Sequence, residues 1–214
     1  NVSNPVAAIL GCAQLLSRLL QRGDADVNRC LSYTAIIEEE SQKCARMLDN
    51  LAFLARPPKP RPLDLDIHAI LDDALAGFHH PENVRITVQR NDALPRAYAD
   101  PNLLQQALLR VFENALDALP DGGQITVRTD YVEPDDNRVE ITMTDNGGGI
   151  PSDVLPHVTE PFYTTRQGRN GIGLTVCKSL LTCQQGQLAL TAAADGGTRV
   201  TFTLPRNAAA ANAA

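Results

Sequence analysis

The sequence contains no tryptophan, and its 214 residues include only four tyrosines and five phenylalanines. Proteins that bind single-stranded nucleic acid usually stack exposed aromatic rings on the bases, so this shortage argues against that class. The net charge also has the wrong sign, because 19 basic residues stand against 25 acidic ones and leave −6 at pH 7. We therefore expect no nucleic-acid partner, and any phosphate must be held by a few local contacts.

Long apolar runs and paired cysteines are also missing. Because no stretch of about 18 apolar residues occurs, we expect no membrane contact from this stretch of sequence. The five cysteines are widely spaced and form no CxxC pair, which is typical of buried, reduced thiols in a cytoplasmic protein. The first residue is Asn rather than Met, so we interpret the sequence as part of a longer protein, soluble or anchored elsewhere.

Helical periodicity dominates the first quarter of the chain. Apolar residues recur at helical spacing over 4–22, Gly23 and Asp24 interrupt the pattern, and a second helix is predicted over 27–55. The second helix has a coiled-coil-like seam with alternating steps of four and three: Cys30, Thr34, Ile37, Ser41, Cys44, Leu48, Leu51 and Ala55. We predict that residues 1–56 form an antiparallel hairpin that dimerises into a four-helix bundle; docking of the hairpin on its own chain is the alternative.

Prolines mark a domain boundary after the hairpin. Four prolines within 56–62 stop the helix and favour an extended connector, so a linker is predicted over 57–62. Charge changes there as well, because residues 1–62 carry 8 basic and 6 acidic side chains whereas the remainder carries 11 and 19. We expect a second domain over 63–207 and a disordered, alanine-rich tail over 208–214.

Strands and helices alternate irregularly beyond the linker. The periodicity predicts helices over 67–78, 101–119 and 171–184, and strands near 84–90, 124–132, 138–145, 187–193 and 198–204. Asp100 before Pro101 is typical of a helix start. The predicted fold class is α+β: a helical hairpin followed by an α/β sandwich, in which helices cover one face of a mixed sheet.

The helix predicted over 101–119 carries the first polar motif. Arg110, Asn114 and Asp117 share one helical face because their spacings are four and three. An inward-facing Asn can offer an oxygen to Mg²⁺. A solvated polar stripe is the alternative interpretation.

Two glycine-rich motifs follow. The first is Asp145-Asn-Gly-Gly-Gly-Ile150 after a strand, where a carboxylate can accept a hydrogen bond from an exocyclic amine such as that of adenine; an ordinary turn is the alternative. The second, around Gly171 and Gly173, opens an apolar helix, so that loop amides and a helix N-terminus can bind a phosphate chain. The stretch between them, Glu160 to Arg166, is predicted to be a mobile lid with an apolar anchor.

In order and spacing, these four motifs resemble the N, G1, F and G2 boxes of the histidine-kinase ATPase family, which includes gyrase and mismatch-repair ATPases. The resemblance spans about residues 63–205. It implies ATP and Mg²⁺ as cofactors, with the metal on Asn114 and adenine on Asp145. The nucleotide-binding residues that it implies are Arg110, Asn114, Asp117, Asp145, Gly147, Gly149, Ile150, Phe162, Thr165, Arg166, Gly168, Gly171, Ile172, Gly173 and Leu174.

The start of the sequence resembles the dimerisation and phosphoacceptor helix of sensor histidine kinases: His, an acidic residue, two variable positions, Asn or Thr, then Pro. Aligning Asn4-Pro5 with that pattern puts the acceptor His one residue before Asn1. Asn1 then occupies the usually acidic position that takes the proton from the attacking imidazole. Asn4 is implied to orient water in a reverse phosphatase reaction, with a helix N-cap as its other role. We expect the four histidines that are present to be surface or structural residues.

One departure from the family concerns Arg110. Hydrolytic members place a water-activating Glu four residues before the magnesium Asn, and kinases commonly have Asn there. The missing base favours transfer to a protein nucleophile over rapid hydrolysis, and we expect Arg110 to pair with a phosphate or with Asp117.

The resemblance thus implies the catalytic core of a sensor histidine kinase. Such a core autophosphorylates on His and passes the phosphoryl group to an Asp in a response-regulator receiver domain. The alternative is a degenerate kinase that acts as a nucleotide-binding or scaffolding module. An ATP-driven clamp of the gyrase type is disfavoured, because it needs Glu at position 110.

Overall fold

A computed structural model describes residues 3–22, 26–132, 137–166, 170–194 and 196–212. The chain divides into two compact units, Asn1–Arg56 and Pro57–Ala214. Among the described residues, no helix combines the length and the apolar character needed to cross a membrane.

The first unit is a pair of helices, α1 (Ser3–Gln21) and α2 (Val27–Ala55), which pack against each other. Asp26 begins α2, because its side chain accepts a hydrogen bond from the backbone N–H of Asn28 at 3.0 Å. Arg56 ends the helix directly before Pro57, which lacks the N–H that another helical turn would need. Both predicted helices are therefore present, while the predicted break at Gly23 and Asp24 lies outside the described residues.

The predicted seam of α2 separates into two rows. Cys30, Ile37, Cys44 and Leu51 are half-buried, whereas Thr34, Ser41, Leu48 and Ala55 are exposed. A second buried or half-buried row contains Tyr33, Glu40, Met47 and Leu54. The inner face of α2 therefore also repeats at steps of three and four, but this row replaces the exposed row of the predicted seam. Half of the predicted seam thus faces α1 and the other half is exposed in the single chain.

The second unit is built on a five-stranded mixed sheet. Its strands are β2 (Val84–Gln89), β4 (Gly123–Val132), β5 (Arg138–Asp145), β6 (Gln187–Ala192) and β7 (Thr198–Pro205). They lie in the order β2-β4-β5-β7-β6, with β2 parallel to β4 and the other neighbours antiparallel. The predicted α+β class with a mixed sheet is confirmed.

Helices cover one face of this sheet and bury the core. They are α3 (Ile67–Ala76), α4 (Pro101–Asp117) and α5 (Gly173–Thr182). Strand β5 shows the one-sided burial, since Val139, Ile141 and Met143 are buried while the residues between them are half-exposed. Phe112 and Phe202 are the largest fully buried side chains.

Two short strands not predicted from the sequence form a second sheet. Strand β1 (Leu63–Leu65) pairs antiparallel with β3 (Ala97–Ala99) and leads directly from the proline-rich connector. Three residues are too few for an alternation pattern to show, so only the structure reveals this pair.

The end of the chain differs from the predicted disordered tail over 208–214. A short helix, α6 (Ala208–Asn212), packs on β7, and Ala211 is buried. Alanine has the highest helix propensity, but a short alanine helix is only marginally stable by itself. The buried contact of Ala211 supplies the additional stability.

Candidate functional site

Asp145 ends β5 with its carboxylate held by the backbone. Its Oδ1 accepts hydrogen bonds from the N–H groups of Gly147, at 3.0 Å, and Thr198, at 3.2 Å. The residue is 6% exposed. Both donors that the described residues offer to this side chain go to Oδ1, which leaves Oδ2 with unused acceptor capacity. A buried carboxylate in this state can accept a hydrogen bond from a ligand amine.

Two glycines near Asp145 pack so closely on neighbouring backbone that a side chain at either position is excluded. A Cβ atom at Gly147 would lie 2.4 Å from the carbonyl oxygen of Ala118, at the end of α4. A Cβ atom at Gly197 would lie 2.0 Å from the carbonyl oxygen of Asp145. Gly147 is thus required by the protein's own packing, and the nearby Gly149 and half-exposed Ile150 continue the same turn.

Asn114 faces the start of α5. A Cβ atom at Gly173 would lie 3.8 Å from both terminal atoms of the Asn114 amide. Its Nδ2 is buried and forms no hydrogen bond within the described residues. A buried amide with an unused donor is uncommon and gains stability when a ligand contacts it.

Asn114 also fits the role of a Mg²⁺ ligand. Because Nδ2 forms no hydrogen bond, turning the amide to present Oδ1 to a cation would break none. Among the described residues, no group of three or more His, Cys, Asp or Glu side chains could hold a metal. Mg²⁺ commonly binds one or two protein oxygens together with substrate phosphates and water, and one amide oxygen suits that mode.

The N-terminus of α5 lacks a side-chain cap. Ile172, which precedes the helix, is 1% exposed and cannot accept hydrogen bonds from the first helical N–H groups. Gly171 turns the chain into the helix with φ +62°, and a Cβ atom there would lie 2.4 Å from the carbonyl oxygen of Tyr163. The amides near Gly173 and Leu174 therefore have the geometry that can bind an anion.

Arg166 contacts the end of α4. Its Nη1 donates to the carbonyl oxygen of Asn114 at 3.3 Å and lies 3.7 Å from Oδ2 of Asp117. The side chain is 41% exposed. Thr165, beside it, is exposed, and Gly168 lies outside the described residues. Arg166 places a positive charge beside Asn114 without losing access to solvent.

Phe162 lies in the predicted lid in a strained conformation. Its φ is +69°, its side chain is 61% exposed, and its N–H donates to the carbonyl oxygen of Gly171 at 3.0 Å. Nearby, Nδ1 of His157 lies 2.9 Å from a carboxylate oxygen of Glu160. The described part of the predicted lid thus has contacts within itself and a backbone hydrogen bond to Gly171, just before α5.

Arg110 lies one helical turn before Asn114 and is half-buried, with its Nε shielded from solvent. Across from α4, complete burial raises the pKa of the Cys177 thiol from 9.0 to about 12, and the charge of Arg110 acts in the opposite direction. The Cys177 thiol donates to the carbonyl oxygen of Ala107 at 3.7 Å, and Ala107 precedes Arg110 by three residues, so Arg110 lies on the face of α4 that contacts α5.

The sequence-predicted residues come together with two that the motifs did not single out. Thr198 supplies an N–H to Asp145, and Gly197 packs against it. In the sequence, the pair Gly196-Gly197 directly before the last strand is the feature that could have pointed to this part of the site. The predicted residues of the first helix do not take part in this cluster: Asn4 lies exposed inside α1, after Ser3, so the predicted N-cap role is wrong, and Asn1 lies outside the described residues.

A family model described as "Histidine kinase-, DNA gyrase B-, and HSP90-like ATPase" matches residues 99–208. Among curated relatives, Sporulation kinase E of Bacillus subtilis is 28% identical over 207 residues, which cover 95% of this chain and 27% of that protein. The sensory histidine kinase/phosphatase NtrB of Rhizobium leguminosarum is 30% identical over 195 residues, 84% of this chain and 49% of that protein. The chain thus spans half or less of these two relatives.

Solved structures of histidine kinases are also similar to the chain. The mycobacterial sensor histidine kinase MprB matches with a TM-score of 0.58 and 28% identity, covering 68% of this chain and 97% of that one. Histidine kinase ThkA, in complex with response regulator protein TrrA, has a TM-score of 0.75 over 96% of this chain and 59% of that one. At 18% identity, that second match shows the fold alone. The chain belongs to the histidine kinase-, DNA gyrase B- and HSP90-like ATPase family, and within it to the sensor histidine kinases of two-component systems.

Proposed function

We propose that residues 63–207, within the second unit, form an ATP-binding domain, with the nucleotide in the site between the end of β5 and the start of α5. The supporting observation is the carboxylate of Asp145, which is buried and oriented by two backbone N–H groups. Its second oxygen accepts the exocyclic amine of adenine in this proposal. A solved relative by fold, ShkA, was determined in complex with AMPPNP.

The phosphates lie at the N-terminus of α5 in this proposal. The uncapped amides after Ile172 and the side chain of Arg166 provide the positive potential. Asn114 supplies an oxygen to Mg²⁺, which when bound neutralises phosphate charge. Arg166 moves from Asp117 toward the phosphates when nucleotide enters, since its present contact with that carboxylate is 3.7 Å long and partly exposed.

The reaction is phosphoryl transfer to an imidazole. A ring nitrogen of the acceptor His, expected immediately before Asn1, attacks the γ-phosphorus, and the bond to the β,γ-bridging oxygen breaks to release ADP. A receiver-domain Asp carboxylate then takes the phosphoryl group from the imidazole. No Glu shares a helical face with Asn114 one turn earlier, where Arg110 stands instead, so water has no base there to activate it.

The first unit serves as the dimerisation and phosphoacceptor hairpin, joined through a linker over 57–62. Large apolar side chains on both helices are exposed, including Leu10 at 58%, Leu31 at 61% and Leu48 at 61%. Exposed apolar rows on a two-helix unit are buried when a second copy completes a four-helix bundle. The proposed partners are therefore a second copy of the chain and a response-regulator receiver domain. Asn4, exposed in the first turn of α1, orients water in the reverse phosphatase reaction.

Calorimetric titration with Mg-ATP tests the proposed nucleotide site. We expect wild-type protein to bind, Asp145→Ala to lose affinity at least about 100-fold, and Asn114→Ala to lose about ten-fold in the presence of Mg²⁺. Lys178→Ala, remote from the site on the outer part of α5, is the matched control and keeps wild-type affinity. Absence of binding to wild-type protein would remove the kinase proposal and favour the degenerate, scaffolding alternative.

A further inference from the structure

The α4 face that carries Asn114 has an additional positive charge. Arg110 lies one turn before Asn114, and Asp117 lies nearly one turn after it, in contact with Arg166. The side chains at these four positions sum to one net positive charge before any metal binds. With a neutral residue at position 110, the sum would be zero.

This charge lies where it acts on a bound phosphate chain. Arg110 is half-buried, so its field is screened less than that of a surface arginine. Arg110 lies between Ala107 and Asn114 on one face of α4, and both of these neighbours contact α5. The Cys177 thiol donates to the carbonyl oxygen of Ala107 at 3.7 Å, and a Cβ atom at Gly173 would lie 3.8 Å from the Asn114 amide. Both Cys177 and Gly173 belong to α5 and are four residues apart, so they share one face of that helix. Arg110 therefore lies on the face of α4 that contacts the first turns of α5, the helix to whose N-terminus the phosphates are assigned.

A fixed cation at this position has opposite effects on the two ligands. It attracts the negatively charged phosphates, and it repels a divalent metal bound to the adjacent Asn114. We propose that Arg110 is a resident cation that takes over part of the charge neutralisation otherwise done by Mg²⁺, so that nucleotide binding depends only weakly on the metal. The inference rests on the proposed nucleotide site and concerns how that site divides charge between protein and metal.

The test is calorimetric titration of the full chain with ADP, once with excess Mg²⁺ and once with EDTA. For wild-type protein, we expect removal of Mg²⁺ to weaken ADP binding by no more than about three-fold. For Arg110→Asn, we expect a loss of about ten-fold or more on removal of Mg²⁺, because the metal alone then neutralises the phosphates. Arg110→Lys retains the charge and is expected to behave like wild type, which separates charge from side-chain shape. Thermal melting identifies variants that have lost the fold, and Arg110→Gln replaces Arg110→Asn in that case.

The outcomes separate this inference from the proposed function. If wild-type protein binds ADP and its Mg²⁺ dependence equals that of Arg110→Asn, the resident-cation role is wrong while nucleotide binding stands. If wild-type protein binds ADP only when Mg²⁺ is present, the inference is also wrong. If wild-type protein binds ADP under neither condition, the proposed function itself fails.

Discussion

At the scale of single residues, one side chain and one backbone segment of the proposed site are held in place by the protein before any ligand binds. Asp145 is held by two backbone N–H groups, and the lid residue Phe162 is held at φ +69° by its bond to Gly171. Preorganisation of this kind lowers the entropy that binding must remove. Asn114 differs, because its buried Nδ2 forms no hydrogen bond among the described residues and can turn toward a ligand.

The thiol of Cys177 gives a pH-dependent prediction. Burial raises its pKa to about 12, so the folded protein keeps this proton in the range above 9.0 where the unfolded chain loses it. The unfolded state then binds fewer protons, and the free energy of unfolding falls as pH rises from 9.0 toward 12. We expect urea unfolding at pH 8, 9 and 10 to show a steeper decline for wild type than for Cys177→Ala. Equal declines would mean that the thiol is not buried as described.

Residue identity in the site could be predicted where a side chain performs the chemistry. Asp145 and Asn114 were identified because a carboxylate after a strand and an amide on a helix face have recognisable chemistry. The packing reason for a glycine at position 147 could not be predicted, since only the structure shows that a Cβ atom there would lie 2.4 Å from the carbonyl oxygen of Ala118. The N–H of Thr198 could not be found either, because every non-proline residue has one and only the strand pairing brings it to Asp145.

At the scale of secondary-structure elements, α4 and α5 are fixed at one end by a common residue. Asp100 caps α4 by accepting from the N–H groups of Asn102 and Leu103, and its other oxygen accepts from the N–H of Arg61 at 2.8 Å. Its own N–H donates to Oε1 of Gln184, just beyond α5, at 2.8 Å. Asp100 therefore connects the end of the proline-rich segment to both helices of the proposed site.

Replacement of Asp100 by Ala is expected to cost about 2–3 kcal/mol of unfolding free energy, because it removes a helix cap and leaves the N–H of Arg61 unpaired. Asp66→Ala is the matched control. Asp66 caps α3 through His68 and Ala69 but is exposed, so its loss should cost about 1 kcal/mol. Urea unfolding measures both values. A cost for Asp100→Ala no larger than that for Asp66→Ala would contradict the connecting role.

Long periodic elements could be predicted, and short ones could not. The helix start at Asp100-Pro101 and the alternation in β5 are local signals, and both agree with the structure. Strands β1 and β3 have three residues each and form only because they pair across more than 30 residues of sequence. The burial of one row of α2 and the exposure of the other could likewise not be predicted, since the contact with α1 decides which row is buried.

At the scale of the whole molecule, the chain consists of two compact units of unequal size. The larger has a continuous core between one face of the sheet and three helices. The described part of the hairpin has few buried residues and several exposed large apolar side chains, so a second copy of the chain is its proposed partner.

Sedimentation velocity of the full chain tests this dimer. We expect wild type to sediment as a dimer and the double variant Leu31→Glu/Leu48→Glu to sediment as a monomer. Both leucines are 61% exposed on α2, and burying the two introduced glutamate charges in the core of a bundle would be too costly. Leu63→Glu is the control. That leucine is 49% exposed in the other unit, and the variant should remain dimeric. A monomeric wild type would contradict the four-helix bundle.

The central claim is the location of the nucleotide, and an NMR titration of ¹⁵N-labelled protein with ADP tests it most directly. The account predicts that the largest shifts fall on the backbone amides of Gly147, Gly173, Leu174 and Thr198. These lie at the Asp145 carboxylate and at the start of α5. Amides at the far end of α5, near Gln185 and Gln187, should not move. Shifts confined to that far end, or the absence of any shift at millimolar ADP, would contradict the account.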